Sequence, residues 1–449
     1  MGRQSVAELS NEADVRRFET AVLRDLTSLE TMIQSCLFET GIRRIGAEQE
    51  MFLVDRSMRP ASIAAQLLSK LSDLPFTAEL AQFNLEMNLT PLFLQGDCLT
   101  RMHEELKQLT KKTRDAAAGF DADVLLAGIL PTLCLSDLRL ENLTDSPRYR
   151  ELNRSLEQLR GESFLIHIKG LDELFLAHEN MMLEACNTSF QIHYQTAPDH
   201  FANDYNTAQA ISGPVLAAAV NSPILFQKRL WSETRLALFQ HSVDERSQAQ
   251  HFRDRPPRVR FGETWVQDSV LEIFKEDFVR FRLLVACSDH EDSAEALAKG
   301  EIPRLSALCL HNGTVWRWNR PCYGITNGRP HLRIECRAFP AGPSLVDEIA
   351  NVAFFAGLMA AVPDEFPPIS TILPFDSAKE NFYAAARYGL KAHFTWFGGQ
   401  ALSAPELILR HLLPLSNRGL RNAGIDDRDR DYYLGIIEKR VGSGKTGAS

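Results

Sequence analysis

The chain has 449 residues, is 45% hydrophobic and 24% charged, and carries a formal net charge of −9 with a pI of about 5.8. That composition suits a soluble globular protein of two or three domains, or one large α/β or α+β domain. It excludes several classes: there is no basic tract for nucleic acid, and no run of 18 apolar residues for an ordinary membrane span.

The first residues, "MGRQSVAELSNEADVRRF", lack the apolar region of a signal peptide. Val6 stands where a myristoylation pattern needs Ser or Thr. The eight cysteines are scattered without a C-x-x-C pair, as expected of free thiols in a reducing, cytoplasmic compartment.

Helical spacing opens the chain over 8–38, with Val15, Phe18, Val22, Leu26, Leu29, Met32 and Ile33 on one stripe. A strand is predicted over 43–54, a helix in "ASIAAQLLSKL", and a strand in "TAELAQFNLEMNLTP" up to Pro91. A charged amphipathic helix follows over 97–119, then a buried strand in "ADVLLAGILPTL" and a polar loop leading into helix over 137–156. "SFLIHIKG" and "NTSFQIHYQT" read as strands, and 200–240 as helix interrupted by "NSPIL". The polar stretch 243–262 reads as an exposed loop, and 268–285 as a helix. "LCLHNGTVWRWNRPC" predicts a hairpin turning at Asn312-Gly313, and "PHLRIECRAF" a strand. Helical character continues from about 345, and the tail "VGSGKTGAS" is expected to fray. Its "GSGKTG" lacks the spacing and the preceding strand of a phosphate loop. Strands joined by short turns favour a mixed, mainly antiparallel sheet backed by helices.

Four strands carry an unusual polar face. Alternate side chains of a strand share a face. Glu48 and Glu50 therefore oppose Ala47, Gln49, Met51 and Leu53. Asn84, Glu86 and Asn88 oppose Phe83, Leu85, Met87 and Leu89; Ser189, Gln191, His193 and Gln195 oppose Phe190, Ile192 and Tyr194; and Arg333, Glu335 and Arg337 oppose Leu332, Ile334 and Cys336. A sheet half-exposed to water also has polar faces, but such faces use lysine freely, and these four have none. The composition suits the lining of a cleft.

Carboxylates two apart on a strand lie roughly 6.6 Å from one another. Two full charges at that distance repel by about 2.5 kcal/mol at an effective dielectric near 20. Either some carboxylates are protonated or cations sit among them. Hard oxygen donors from Glu48, Glu50, Glu86 and Glu335 suit Mg²⁺ and Mn²⁺, and His193 suits Mn²⁺ better than Mg²⁺. Arg337 beside them suits a phosphate.

At this point the motifs resemble a known family. "IGAEQEMFLVD", "NLEMNLTP", "SFQIHYQ", "NSPIL" with "LWSETR", "HLRIECRAFPAGPS", "AAARYGL" and "IEKRVGSGKTGA" resemble, in order, the glutamate–cysteine ligase family of the GCS2 type. "GILPTL", "HNGTVWRWNRPCYGI" and "NFYAAARYGL" resemble a bacterial branch often joined to C-terminal CBS domains. The resemblance implies an α+β fold, a glutamine-synthetase-like curved antiparallel sheet with helices on the outer face. It implies the cofactors ATP and Mg²⁺ or Mn²⁺, with Glu48, Glu50, Glu86, His193 and Glu335 as metal ligands. Arg337, Arg235 and Arg320 would contact phosphate or carboxylate, and Arg337, Arg235 and Glu335 would serve catalysis.

The expected organisation is an N-terminal helix over 1–40, a catalytic core over 41–375, and a helical part of the same domain over 376–449. The expected reaction is ATP-dependent joining of an amino-acid carboxylate, glutamate by family default, to cysteine or another amine through an acyl phosphate. Phosphotransfer of the guanidino-kinase type and non-catalytic sensing of nucleotide or amino acid stand as alternatives. The expected partners are small-molecule amino acid and amine substrates, with no nucleic acid and no membrane, and a homo-oligomer is left open. The loop at 243–262 is either a lid or a plain surface loop. Trp316 and Trp318 either pack or stack on adenine.

Overall fold

The computed structural model of the protein describes residues 6, 12–246, 256–287 and 290–449. Its strands are β1 (Arg44–Asp55), β2 (Phe76–Ala78), β3 (Asn84–Asn88), β4 (Leu92–Phe93), β5 (Ala122–Leu125), β6 (Phe164–Lys169), β7 (Glu173–His178) and β8 (Phe190–Thr196). β9 (Ile224–Leu225), β10 (Lys228–Arg229), β11 (Asn319–Thr326), β12 (Arg329–Cys336), β13 (His393–Trp396) and β14 (Gln400–Ser403) follow.

Eight strands form one curled sheet, ordered β11-β12-β8-β1-β3-β2, with β4 and β5 pairing the two ends of β1. Every pairing in it is antiparallel. The outward side chains Ala47, Met51, Leu85, Ile192, Tyr194, Leu332 and Ile334 are buried. The helices Phe201–Ala219 and Leu345–Glu365 pack against the sheet from that side. Both are buried around nearly their whole circumference, and the polar groups that Phe201–Ala219 buries, Asp204, Asn206 and Gln209, are hydrogen-bonded. Leu345–Glu365 is long and apolar enough to cross a membrane, yet 83% of its apolar window is buried inside the protein.

The N-terminal helix, Glu12–Gln34, buries Phe18, Val22, Leu26, Leu29 and Met32, the predicted stripe. It packs on the helices Val270–Arg280, Ser293–Ala298 and Ser306–Asn312. Its Asp25 carboxylate accepts from Ala307 N and Leu308 N at 3.0 and 3.1 Å, satisfying free amides at the start of the last of these.

Three local expectations are corrected. Asn312-Gly313 is not a hairpin turn: residues 306–312 are helical, burying Ala307, Leu308, Leu310 and His311 at helical spacing, and Gly313 keeps φ −68°. The hairpin lies one Asn-Gly later, between β11 and β12, where Asn327 and Gly328 adopt φ 50° and 75°. The strand read through to Pro91 is broken into β2 and β3 by the turn at 79–83. The C-terminal tail does not fray: Ala448 N donates to Val220 O at 3.1 Å. Gly447 lies so close to Asn221 that a Cβ there would fall 2.2 Å from its Oδ1.

Candidate active site

Antiparallel register turns the polar faces of separate strands into rows across the sheet. Thr77, Glu86 and Glu50 are direct neighbours across β2, β3 and β1. Asn88, Glu48 and Gln191 form the next row across β3, β1 and β8. Gly46, His193, Glu335 and Arg320 form the third across β1, β8, β12 and β11. A one-residue slip in any strand would send its row to the apolar side.

The first row lines a cavity of ≈ 200 Å³ that also receives Glu79, Glu184, Arg148, Tyr149 and Trp316. One carboxylate oxygen from each of Glu50, Glu79 and Glu86 lies within 4.8 Å of the others. Two of the three are pinned. Glu50 accepts from Ser189 N and Gln191 Nε2, both at 2.6 Å. Glu86 accepts from Thr77 Oγ1 at 2.7 Å and Asn88 Nδ2 at 2.9 Å.

Burial pushes Glu50 up to about 7, against the pull of Arg337 and with the repulsion of Glu86. Burial, then Glu86 and Glu50, raises Glu79 well above the usual carboxylate range. Burial, then Glu50, raises Glu184 to about 8. Protons thus relieve the crowding in the protein alone, and a divalent cation relieves it better by supplying the opposite charge. The all-oxygen donor set of Glu50, Glu79 and Glu86 fits a hard divalent metal.

The third row behaves in the opposite way. Glu335 is 1% exposed and receives Arg320 Nη2 at 2.7 Å and Arg337 Nη1 at 2.5 Å. Burial opposes its charge, but Arg320, Arg337 and His193 outweigh burial and hold the carboxyl well below the usual range. Glu48 Oε1 lies 3.1 Å from His193 Nε2. Burial opposes its charge too, and His193 brings it down to about 2. Arg333 Nε donates to His193 Nδ1 at 3.1 Å, which fixes the ring. Arg337 Nη1 also donates to Gln191 Oε1 at 2.8 Å.

A second cavity, of ≈ 380 Å³, adjoins the first, since Glu48 and Arg333 line both. Its walls include Gly46, Pro91, His193 and Gly324. A Cβ at Gly324 would meet Arg333 Nη1 and His331 Nε2, each at 2.8 Å, so a side chain there would displace both.

The structure brings together Glu48, Glu50, Glu86, His193, Glu335, Arg320 and Arg337. It does not bring Arg235 to them. Arg235 is 3% exposed beneath the end of β12. Its Nε donates to Glu233 at 3.1 Å, its Nη1 to Arg337 O at 3.2 Å, and its Nη2 to Ala338 O. Trp316 lines the first cavity, whereas Trp318 is core. The flanks of the polar stretch, 243–245 and 258–261, are buried rather than exposed; its centre, 247–255, lies outside the described residues, and the lid expectation with it.

The sequence reading missed Glu79, Glu184, Arg148 and Arg333. Glu79 sits in the turn between β2 and β3, which was read as unbroken strand. Glu184 lies in the short turn of helix Met181–Cys186 just before β8, and its signal is a lone acid in the apolar run "MMLEAC". Arg333 was placed on the right face but not assigned a role.

Comparison with known proteins defines the class first, that of ATP-dependent carboxylate–amine ligases. The model of glutamate-cysteine ligase family 2 (GCS2) matches residues 44–449, and the chain belongs to that family. Among solved structures, the glutamate–cysteine ligase of Francisella tularensis in complex with AMP is similar at TM-score 0.56 and 14% identity, covering 90% of this chain and 82% of that one. A bifunctional glutathione synthetase from Pasteurella multocida is similar at TM-score 0.48 and 12% identity, covering 95% of this chain and 50% of that one. The first likeness shows a shared fold. A search of curated proteins finds no match.

Proposed function

We propose that the protein uses ATP to phosphorylate an amino-acid side-chain carboxylate, that of glutamate by family default, and passes the acyl group to the amine of cysteine or another amino compound. The observation that carries the reading is the convergence of Glu50, Glu79 and Glu86 within 4.8 Å, in a cavity shared with Arg320 and Arg337.

Glu50, Glu79 and Glu86 would hold one divalent cation, and Glu48, His193 and Glu335 a second. Bound Mg²⁺ or Mn²⁺ neutralises phosphate charge during phosphoryl transfer. Arg320 and Arg337 are oriented by Glu335 so that their forks meet the equatorial oxygens of the transferring group without reorganisation. The cavity with Tyr149, Arg148 and Trp316 takes the amino acid, and the neighbouring cavity between Gly46, Pro91 and Gly324 takes the nucleotide. The AMP bound to the Francisella protein supports a nucleotide on this fold.

The amine attacks the acyl phosphate carbon, the amide C–N bond forms, and inorganic phosphate leaves. Because water competes for that intermediate, partial enclosure of the cavity matters. Free cysteines throughout the described residues support a cytoplasmic setting.

The test is a screen of amino acids paired with amines, reading ADP and phosphate release together with product mass. An amide product with equal ADP and phosphate supports the ligase. ADP without phosphate would indicate a phosphotransferase, and ATP binding without turnover would indicate a sensor.

A further inference from the structure

The outward face of β1 carries one buried amide, Gln49, between Glu48 and Glu50. Its Nε2 donates to the Glu50 carbonyl at 2.7 Å. Its side chain also faces Glu348, fully buried on the helix Leu345–Glu365. Glu348 Oε1 in turn accepts from Gly342 N at 2.6 Å. Gly342 belongs to the turn that leaves β12 shortly after Arg337. One side chain therefore joins β1 to the turn that follows β12.

Yet Gln49 Oε1 and Glu348 Oε2 are buried acceptors that find no donor. An unsatisfied buried acceptor is costly, and one proton here satisfies two groups at once. We infer that Glu348 acts as a neutral acid, a positioning residue whose O–H donates to Gln49 while its carbonyl accepts from Gly342, holding the Glu48–Glu50 segment of β1 against the turn that follows Arg337. Burial pushes Glu348 up to about 8 against the pull of the Gly342 N–H, and the adjacent Asp347 raises it further. The role rests on the reading of Glu48, Glu50 and Arg337 as cation- and phosphate-binding groups; the protonation does not.

Two measurements on the intact chain test it. In infrared difference spectra at neutral pH, wild type minus Glu348→Gln shows a protonated carboxyl C=O band. Ionised carboxylate bands instead would overturn the inference regardless of function. Calorimetry with Mg²⁺-ATP gives the second arm. Glu348→Gln keeps both bonds and binds within about twofold of wild type, whereas Glu348→Leu and Gln49→Met each weaken binding by about tenfold. Gln49→Met removes the bond from the strand side should Glu348→Leu fail to fold. Wild-type affinity in Gln49→Met, or equal losses in Glu348→Gln and Glu348→Leu, would overturn it. No Mg²⁺-ATP binding by wild type would sink the functional reading itself, leaving the infrared result to stand alone.

Discussion

The two ends of the concave face use the same residue type and reach opposite states, and the more buried glutamates are the ones held ionised. Around Glu50, Glu79 and Glu184, carboxylates face carboxylates, and burial with mutual repulsion raises all three. Around Glu48 and Glu335, arginines and His193 outweigh burial and hold both below the usual range. Burial alone does not decide the charge of a glutamate; its neighbours do. The arginine-rich end is largely neutralised by the protein itself, whereas the acid-rich end calls more strongly for a cation from outside.

Four predictions sharpen that contrast. The largest effect is expected behind the arginine-rich end. Arg235→Met leaves Glu233 buried and uncompensated and should destabilise the fold by about 3–5 kcal/mol in denaturant melts. A fully stable Arg235→Met with lost ATP affinity would return Arg235 to the site. Next, Arg337→Lys should lower turnover by roughly a hundredfold with little change in melting temperature, because lysine cannot reproduce the planar fork held by Glu335 and Gln191. Near-normal turnover would make Arg337 a salt-bridge partner only.

Third, Glu79→Gln should raise the Mg²⁺ requirement by about tenfold, since it removes a ligand charge, while changing the metal-free melting temperature little near neutral pH, because the amide replaces a carboxyl that burial and its neighbours already push toward the neutral form. A large fall in the metal-free melting temperature would contradict the raised carboxyl. The smallest effect is in pH. Glu50 and Glu184 have folded values of about 7 and about 8 against an ordinary 4.5, so the folded state binds more protons than the unfolded one. Their contribution to stability is full below about 4.5 and is lost as pH rises through 7 and 8. Metal-free melting temperature should therefore decline from pH 5 to pH 8, and saturating Mg²⁺ should flatten the decline. A flat metal-free profile would argue against the raised carboxyls.

Much of this site was legible because strand alternation is a strict period of two. Glu48 with Glu50, Asn84 with Glu86, Gln191 with His193, and Glu335 with Arg337 each revealed a face from local sequence alone. What periodicity cannot supply is what turns contribute. Glu79 enters the cavity from the β2–β3 turn, and Glu184 from a turn before β8, where no repeat marks a direction. The Asn-Gly signal also occurs twice, and only the second site forms a hairpin. The first is overridden by the packing of Ala307, Leu310 and His311 on one side of a short helix. Arg235 was misleading because an arginine near a site in sequence order carries no sign of its depth. Its position beneath β12 depends on Glu233 and on the carbonyls of Arg337 and Ala338, which only the folded chain assembles.

The central claim is that the acid-rich end exchanges protons for a divalent cation. Calorimetric titration of Mn²⁺ into the protein at pH 7, repeated in buffers of different ionisation enthalpy, measures that exchange directly. The account predicts Mn²⁺ binding with net proton release, both weakened in Glu79→Gln. Binding without proton release, or binding unchanged by Glu79→Gln, would contradict it.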